Sequence, residues 1–222
     1  MRVPWLAKEA ISRKAGIVIA DYEAEAGRRI APPIPIEELI EFGLKLALVF
    51  EDLRGKLGLP DVLGATYAEF RTISADLSLD RPEGEGRLSF TLAHEAGHWV
   101  MHRRFIKRAH RPGRSIFCRT RDARTTIEWQ ADYFAACLLM PGSFVRAAFD
   151  RVCGPQPLVL YNVESAYCGP ICFDPCVANW PQIAERVRAA GRFDNVSKQA
   201  MIIRLQELGL VQNETHAPLA WR

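Results

Sequence analysis

The sequence lacks a long apolar run and a strong excess of charge of either sign. The longest apolar stretch near its beginning, residues 16–20, is too short for a signal-peptide core and is followed by Asp21. The formal net charge is only +3 over 222 residues, which argues against wholesale nucleic-acid binding. We therefore expect a cytoplasmic protein without a membrane span, with one main domain and a small additional segment.

The chain contains six cysteines. Without an export signal, these cysteines are expected to be thiols rather than a disulfide framework. Cys168, Cys172 and Cys176 are evenly spaced and Cys153 lies a little upstream. Two equal three-residue gaps are not a standard spacing for zinc or for an iron–sulfur cluster. Free or redox-active thiols are therefore favoured over a second metal site.

Two of the five histidines fall in the pentapeptide His94-Glu95-Ala96-Gly97-His98. Such an H-E-x-x-H motif is expected by chance on the order of 0.01 times in a chain of this kind. Residues four apart on a helix are neighbours, so His94 and His98 can direct two imidazoles at one ion. Glu95 then lies beside the ion, where it can take a proton from water. The alternative is an ordinary buried helix with two satisfied histidines.

Two histidines do not complete a zinc site, which needs a third protein ligand and an open position. Met101 and Arg104 stand where the metzincin pattern has Gly and His. His102 lies roughly 12 Å from His94 along a helix axis, too far to share the ion. The third ligand is therefore expected elsewhere in the sequence.

A periodic segment over residues 127–139, stopped by Pro141, predicts a second helix that carries acidic residues. Glu128 and Asp132 are one turn apart on the same face of that helix. A carboxylate at Glu128 can complete the site, and Asp132 can accept the free N–H of a metal-bound imidazole, that of His94. The alternative is an amphipathic helix whose acidic residues face water.

Two segments resemble the ImmA/IrrE family of metallopeptidases. Residues 90–99 read FTLAHEAGHW and residues 128–141 read EWQADYFAACLLMP. The family patterns are close to F-T-x-A-H-E-x-G-H and E-x-E-A-(N/D)-x-F-A-x-x-L-L-M-P, and Gln130 stands where many members carry Glu. Glu128 remains the expected ligand, because its step to Asp132 resembles that of the glutamate zincins.

The resemblance implies an α+β fold, with a mainly helical zincin-like peptidase domain, a small mixed or antiparallel sheet and a helix-turn-helix-like C-terminal segment. Apolar periodicity and turn residues predict helices over 5–26, 36–42 and 87–102, and strands over 44–50, 63–67 and 71–79. The last strand is a candidate edge for holding a substrate backbone, with an ordinary sheet strand as the alternative.

The domain organisation follows from the same patterns. We expect an N-terminal helix in residues 1–30, the ImmA/IrrE-like metallopeptidase domain in 31–150, a cysteine-containing connection in 151–180 and the helix-turn-helix-like segment in 181–222.

Two parts of the sequence are candidates for DNA binding, the C-terminal segment and a basic stretch. In the C-terminal segment, a helix with Ser197 as its N-cap runs to Leu208, and the residues available to read DNA are Ser197, Lys198, Gln199 and Arg204. Packing or partner docking is favoured over DNA reading there. Residues 103–124 carry nine Lys and Arg against Asp122, which suits an acidic partner, DNA phosphates or a solvated loop.

The function expected from the motif and the resemblance is a zinc-dependent endopeptidase with a regulatory role. The metal is held by His94, His98 and Glu128, and manganese or another divalent ion suits the same ligands. The implied substrate is a protein such as a helix-turn-helix transcriptional repressor, and direct DNA binding is not favoured. Tyr67, His102 and Tyr133 are the candidates for an oxyanion stabiliser. The alternative is a metal-stabilised regulator that binds a repressor or DNA through its C-terminal helices and cuts nothing.

Overall fold

The computed structural model describes residues 3–80, 85–108, 116–119, 126–160 and 180–214. Two compact units make up the chain, Met1–Leu139 and Met140–Arg222. The fold is α+β, mostly helical with a small mixed sheet in the first unit and further helices in the second, which confirms the expected fold class. No helix in the described part of the chain combines the length and the apolar character that a membrane crossing requires.

Helices form most of the first unit. They are α1 (Lys8–Ala26), α2 (Ile36–Glu38, continued by a π-helical turn Leu39–Gly43), α3 (Leu53–Leu57), α4 (Glu85–Gly97, continued by a π-helical turn His98–His102), α5 (Arg103–Arg108) and α6 (Thr126–Leu139). α6 packs against both α4 and α1. The predicted helices are present, although α1 begins three residues later than expected and ends at Gly27, whose φ of +64° favours glycine.

The first unit contains a four-stranded sheet, in whose described part the two outer strands each have one unpaired edge. Its strands are β1 (Ala47–Glu51), β2 (Val62–Tyr67), β3 (Thr72–Asp76) and β4 (Ile116–Arg119), in the order β1-β3-β2-β4. β1 and β3 are parallel, whereas β2 is antiparallel to β3 and to β4. The prediction of residues 71–79 as a substrate-binding edge is wrong, because β3 pairs on both sides and Leu77–Leu79 form a 3-10 turn.

Close contact between α4 and α6 depends on small residues. Ala93 and Ala96 on α4 and Ala131 and Ala135 on α6 are fully buried. A Cβ at Gly97 would lie 3.1 Å from Phe134 Cδ1 and 3.3 Å from the Ala131 Cα, closer than packed carbons normally approach. The two helices can therefore bring short side chains to a common point.

The described residues of the second unit, 140–160 and 180–214, form three helices and two short strands. They are α7 (Gly142–Cys153), α8 (Trp180–Ala190), α9 (Lys198–Glu207) and the parallel pair β5 (Leu158–Leu160) and β6 (Val211–Asn213). α8 packs against α7 and α9. Ser197 caps α9 as predicted, because its hydroxyl accepts a hydrogen bond from the Ala200 N–H at 3.1 Å.

Arg204 cannot contribute to DNA reading. Its side chain is 2% exposed, its Nε donates to the Met140 carbonyl at 3.1 Å, and its Nη1 lies 3.3 Å from Glu207 Oε2. The side chain is therefore part of the interior of the second unit. Of the four candidate DNA-reading residues, Ser197 and Lys198 are exposed.

Several sequence predictions lie outside the described residues. These are Cys168, Cys172 and Cys176 and most of the basic stretch. Cys153 is described, and burial raises the pKa of its thiol to about 11. At neutral pH this thiol is protonated, so Cys153 is a poor nucleophile and a poor metal ligand.

Candidate metal centre

Four buried polar side chains come together where α4 packs against α6. His94, Glu95 and His98 on α4 and Glu128 on α6 are all buried, with Glu95 and His98 at 0% exposure. Burying a charged or polar group is costly unless it is paired. A cluster of this kind therefore indicates a site rather than ordinary packing.

The two predicted histidine ligands both lie close to one carboxylate oxygen of the third predicted ligand, Glu128. Glu128 Oε2 lies 3.0 Å from His94 Nε2 and 3.4 Å from His98 Nε2. The two imidazole rings are 4.6 Å apart and nearly perpendicular, at 78°. Donor atoms of His94, Glu95 and His98 also lie within 4.8 Å of one another. Two atoms bound tetrahedrally about 2.1 Å from one ion are roughly 3.4 Å apart, so these separations suit a shared cation.

Asp132 supports His94 from the other side of the ring. Its Oδ1 lies 2.8 Å from His94 Nδ1, at hydrogen-bonding distance. When Nδ1 donates to Asp132, the lone pair of a neutral His94 is on Nε2, the atom that faces Glu128. This is where the sequence analysis expected Asp132, and its role in orienting His94 stays a prediction.

The protonation states of two of these residues suit a divalent cation. Burial, aided by the neighbouring His94, lowers the pKa of His98 to about 4. An ordinary glutamate has a pKa of about 4.3, so Glu128 is a carboxylate at neutral pH. The site therefore offers a neutral imidazole and a carboxylate, the forms that bind metal.

His98 also provides a direct test of whether a cation fits. Its Nε2 is buried and has no hydrogen-bond partner, although Glu128 lies nearby. An unsatisfied buried nitrogen aimed at a carboxylate is accounted for by a cation between them.

Glu95 is held against β2 by two residues that sequence reasoning missed. The Thr66 hydroxyl donates to Glu95 Oε2 and lies 3.1 Å from the Glu95 carbonyl. A Cβ at Gly64 would lie 2.9 Å from Glu95 Cγ and 2.8 Å from Thr91 Cγ2, so only glycine fits there. Residues 64 and 66 share one face of a strand, and the predicted strand 63–67 contains that signal. Its contact with α4 could not be read from the sequence.

Gln130 and His102 are also buried and contact each other. The Gln130 Oε1 lies 3.1 Å from His102 Nε2, and the Gln130 amide NH2 donates a hydrogen bond to the Pro4 carbonyl. Many ImmA/IrrE members carry Glu at this position. In this chain the position is occupied by Gln130, which lies outside the ligand cluster. His102 is removed as an oxyanion stabiliser, because both of its ring nitrogens have partners.

The other two oxyanion candidates differ in what the structure says of them. The Tyr67 hydroxyl is buried without a hydrogen-bond partner, and burial raises its pKa, so Tyr67 remains a neutral donor candidate. The Tyr133 ring stacks on Trp129 at 5.7 Å and lies under the Lys8 ammonium. We therefore retain Tyr67 as the stronger candidate.

An H-E-x-x-H helix packed on a second helix that brings a glutamate to the same point defines the metallopeptidase class of site. Residues 64–152 match the family model Peptidase_M78, described as the IrrE N-terminal-like domain. This segment runs from β2 to α7 and includes every residue of the cluster. The match agrees with the resemblance of the motif-bearing segments to the ImmA/IrrE family of metallopeptidases. Comparison with curated proteins gave no match.

Proposed function

We propose that the protein is a zinc-dependent endopeptidase that acts in the cytoplasm on a regulatory protein. The observation that supports this most strongly is the convergence of His94, His98 and Glu128 on one point, with Glu95 buried beside it. The family match supports a peptidase and says nothing about the substrate.

Each residue of the site has a distinct task in this proposal. His94, His98 and Glu128 would hold the ion, and Asp132 would orient His94 through its Nδ1–H. When bound, zinc lowers the pKa of a water molecule to about 7 and polarises the peptide carbonyl. Manganese suits the same nitrogen and oxygen donors.

Glu95 acts as the general base and then as the general acid. Thr66 contacts Oε2, which fixes the orientation of the carboxylate, so Oε1 is the oxygen that we expect to take the proton from the attacking water. The same proton is then delivered to the leaving amine. Full burial strengthens these interactions and keeps the carboxylate from competing solvent.

The sheet offers a way to hold an extended peptide. β4 is an edge strand of the described sheet and also contacts α4, which carries the motif. Addition of a substrate strand to this edge would satisfy the peptide backbone close to the cluster. β4 thus takes the role that the sequence analysis gave to residues 71–79.

The regulatory role and the repressor substrate come from the family resemblance. The test is to incubate the zinc-loaded protein with a helix-turn-helix repressor encoded beside it and to measure fragment masses by mass spectrometry. We expect discrete fragments with the native protein. Glu95→Gln should produce none, while its zinc content stays near one ion per chain.

Three results would contradict the proposal at different levels. Absence of fragments would contradict the repressor as substrate. Equal cleavage by Glu95→Gln would contradict the role of Glu95. A native protein that takes up no divalent metal would contradict the metal centre itself.

A further inference from the structure

The orientation of the Gln130 side chain follows from one backbone contact. Its Nε2 lies 2.9 Å from the Pro4 carbonyl oxygen, which can only accept a hydrogen bond. The amide NH2 group must therefore face Pro4. The remaining atom, Oε1, then faces His102 Nε2 at 3.1 Å.

This orientation determines the tautomer of His102. Gln130 Oε1 is an acceptor, so His102 Nε2 must carry the hydrogen. His102 is 1% exposed, and burying a charged ring would be costly, in keeping with a neutral ring. In a neutral ring with Nε2–H, the lone pair is on Nδ1, which lies 3.1 Å from His98 Nδ1.

The tautomer of His98 follows in turn. Because His102 Nδ1 accepts, His98 Nδ1 must donate, which leaves the lone pair of His98 on Nε2. An independent observation agrees with this result. His98 Nε2 has no hydrogen-bond partner although Glu128 Oε2 is 3.4 Å away, as expected when two acceptors face each other.

The π-helical turn His98–His102 brings the two histidines into contact. Side chains four apart on an α-helix have Cβ atoms about 5–6 Å apart, and their rings need not touch. Here the two Nδ1 atoms are 3.1 Å apart. π-helical turns occur often at functional sites, and this one begins at His98, the last residue of the motif.

We propose that His102, Gln130 and the Pro4 carbonyl form a histidine relay that holds His98 in the Nδ1–H tautomer and so presents its Nε2 lone pair to the metal. His102 and Gln130 are positioning residues in this scheme, since they act through His98. The inference rests on the proposed metal site and assigns an orienting group to its second histidine.

The far end of the histidine relay is anchored by aromatic stacking. Trp5 follows Pro4 directly and stacks on Trp129 with ring centres 4.7 Å apart and planes 10° from parallel. Trp129 also precedes Gln130 on α6. Stacking of this kind is favourable beyond area burial, which helps to hold the Pro4 carbonyl against the amide.

The histidine relay can be tested directly in the metal-free, full-length protein labelled with 15N. Long-range 1H–15N spectra distinguish the two imidazole tautomers and require no catalysis. We expect His98 as the Nδ1–H form and His102 as the Nε2–H form. A His98 ring protonated at Nε2 would overturn the proposal.

Variants of Gln130 extend the test to metal affinity. Gln130→Leu removes the acceptor, so the two histidines should lose their single tautomers and zinc affinity, measured by chelator competition, should fall about 10–100-fold. Gln130→Glu keeps an acceptor for His102 and should lose less than about tenfold. The matched control is Gln212→Leu, at an exposed position of β6, which should change neither readout.

Unaltered tautomers and affinity in Gln130→Leu would overturn the proposal. If that variant does not fold, the spectrum of the native protein still decides. A native protein that binds no zinc contradicts the proposed function, whereas the tautomers remain measurable. A native protein that binds zinc, but whose metal-free form has His98 protonated at Nε2, contradicts the histidine relay alone.

Discussion

Each unit of the molecule buries charged side chains, but for different purposes. In the second unit, Arg204 donates a hydrogen bond to a backbone carbonyl and forms an ion pair with Glu207, so its charge is paired within that unit. In the first unit, the contacts of Glu128 are two imidazoles, and His98 Nε2 remains without a hydrogen-bond partner.

The difference shows how to separate a site from structural ion pairing. A buried charge whose hydrogen bonds are met by the surrounding fold serves stability. A buried cluster whose acceptors face one another is costly by itself and is stabilised by an added cation.

The largest effect is expected from Glu128→Gln. This change removes the anionic ligand and should weaken zinc binding more than about 100-fold, because loss of outer-sphere partners alone costs 10–100-fold. Chelator competition measures the affinity, and Glu41→Gln, at an exposed position, is the control. Unchanged affinity would remove Glu128 from the site.

Arg204→Met should affect stability and leave zinc binding intact. Loss of the hydrogen bond from a buried charged donor to Met140 should lower the free energy of unfolding by about 2–3 kcal/mol. Urea denaturation measures the change, with Arg13→Met on an exposed face of α1 as the control. A change in zinc affinity instead would mean that Arg204 serves the site.

Gly64→Ala should disturb both stability and chemistry. The added Cβ would lie 2.8 Å from Thr91 Cγ2 and 2.9 Å from Glu95 Cγ, which should cost about 1–3 kcal/mol and displace the general base. Urea denaturation and peptide hydrolysis report the two effects. The same substitution at Gly16, where nothing lies within 4 Å, should instead stabilise the protein, by up to about 1 kcal/mol.

The smallest effect is expected from Ser197→Ala. The variant loses the N-cap of α9 and should be destabilised by about 1 kcal/mol. Ser197→Asp should retain most of the stability, because a carboxylate also caps a helix N-terminus. Both variants should bind zinc as the native protein does. Equal stability of the alanine variant would show that the cap contributes nothing.

The sequence predicted those parts of the site that depend on local spacing. His94, Glu95 and His98 form a pattern within five residues, and Glu128 with Asp132 forms another within one helical turn. Periodicity also predicted the helices, although α1 begins three residues later than expected, and the fold class came from the family resemblance.

The remaining features depend on contacts between distant elements. Thr66 and Gly64 meet α4 only because β2 packs on it, and strand order cannot be read from the residues of one strand. The edge strand was misassigned for this reason. The histidine relay depends on a π-helical turn and on Pro4, which is 126 residues from Gln130 in the chain.

The missing side chain of Gly97 helps to set the spacing of the side chains in the proposed metal centre. Glu128 reaches the histidines across the seam at which Gly97 meets Ala131 and Phe134. One methyl group there would force neighbouring atoms apart by a few tenths of an ångström. Metal–ligand bond lengths are held to about 0.2 Å, so the tolerance of the coordination sphere is comparable to that displacement. The absence of a side chain at position 97 therefore lets α4 and α6 come close enough for Glu128 and the two histidines to share one ion in the proposed site.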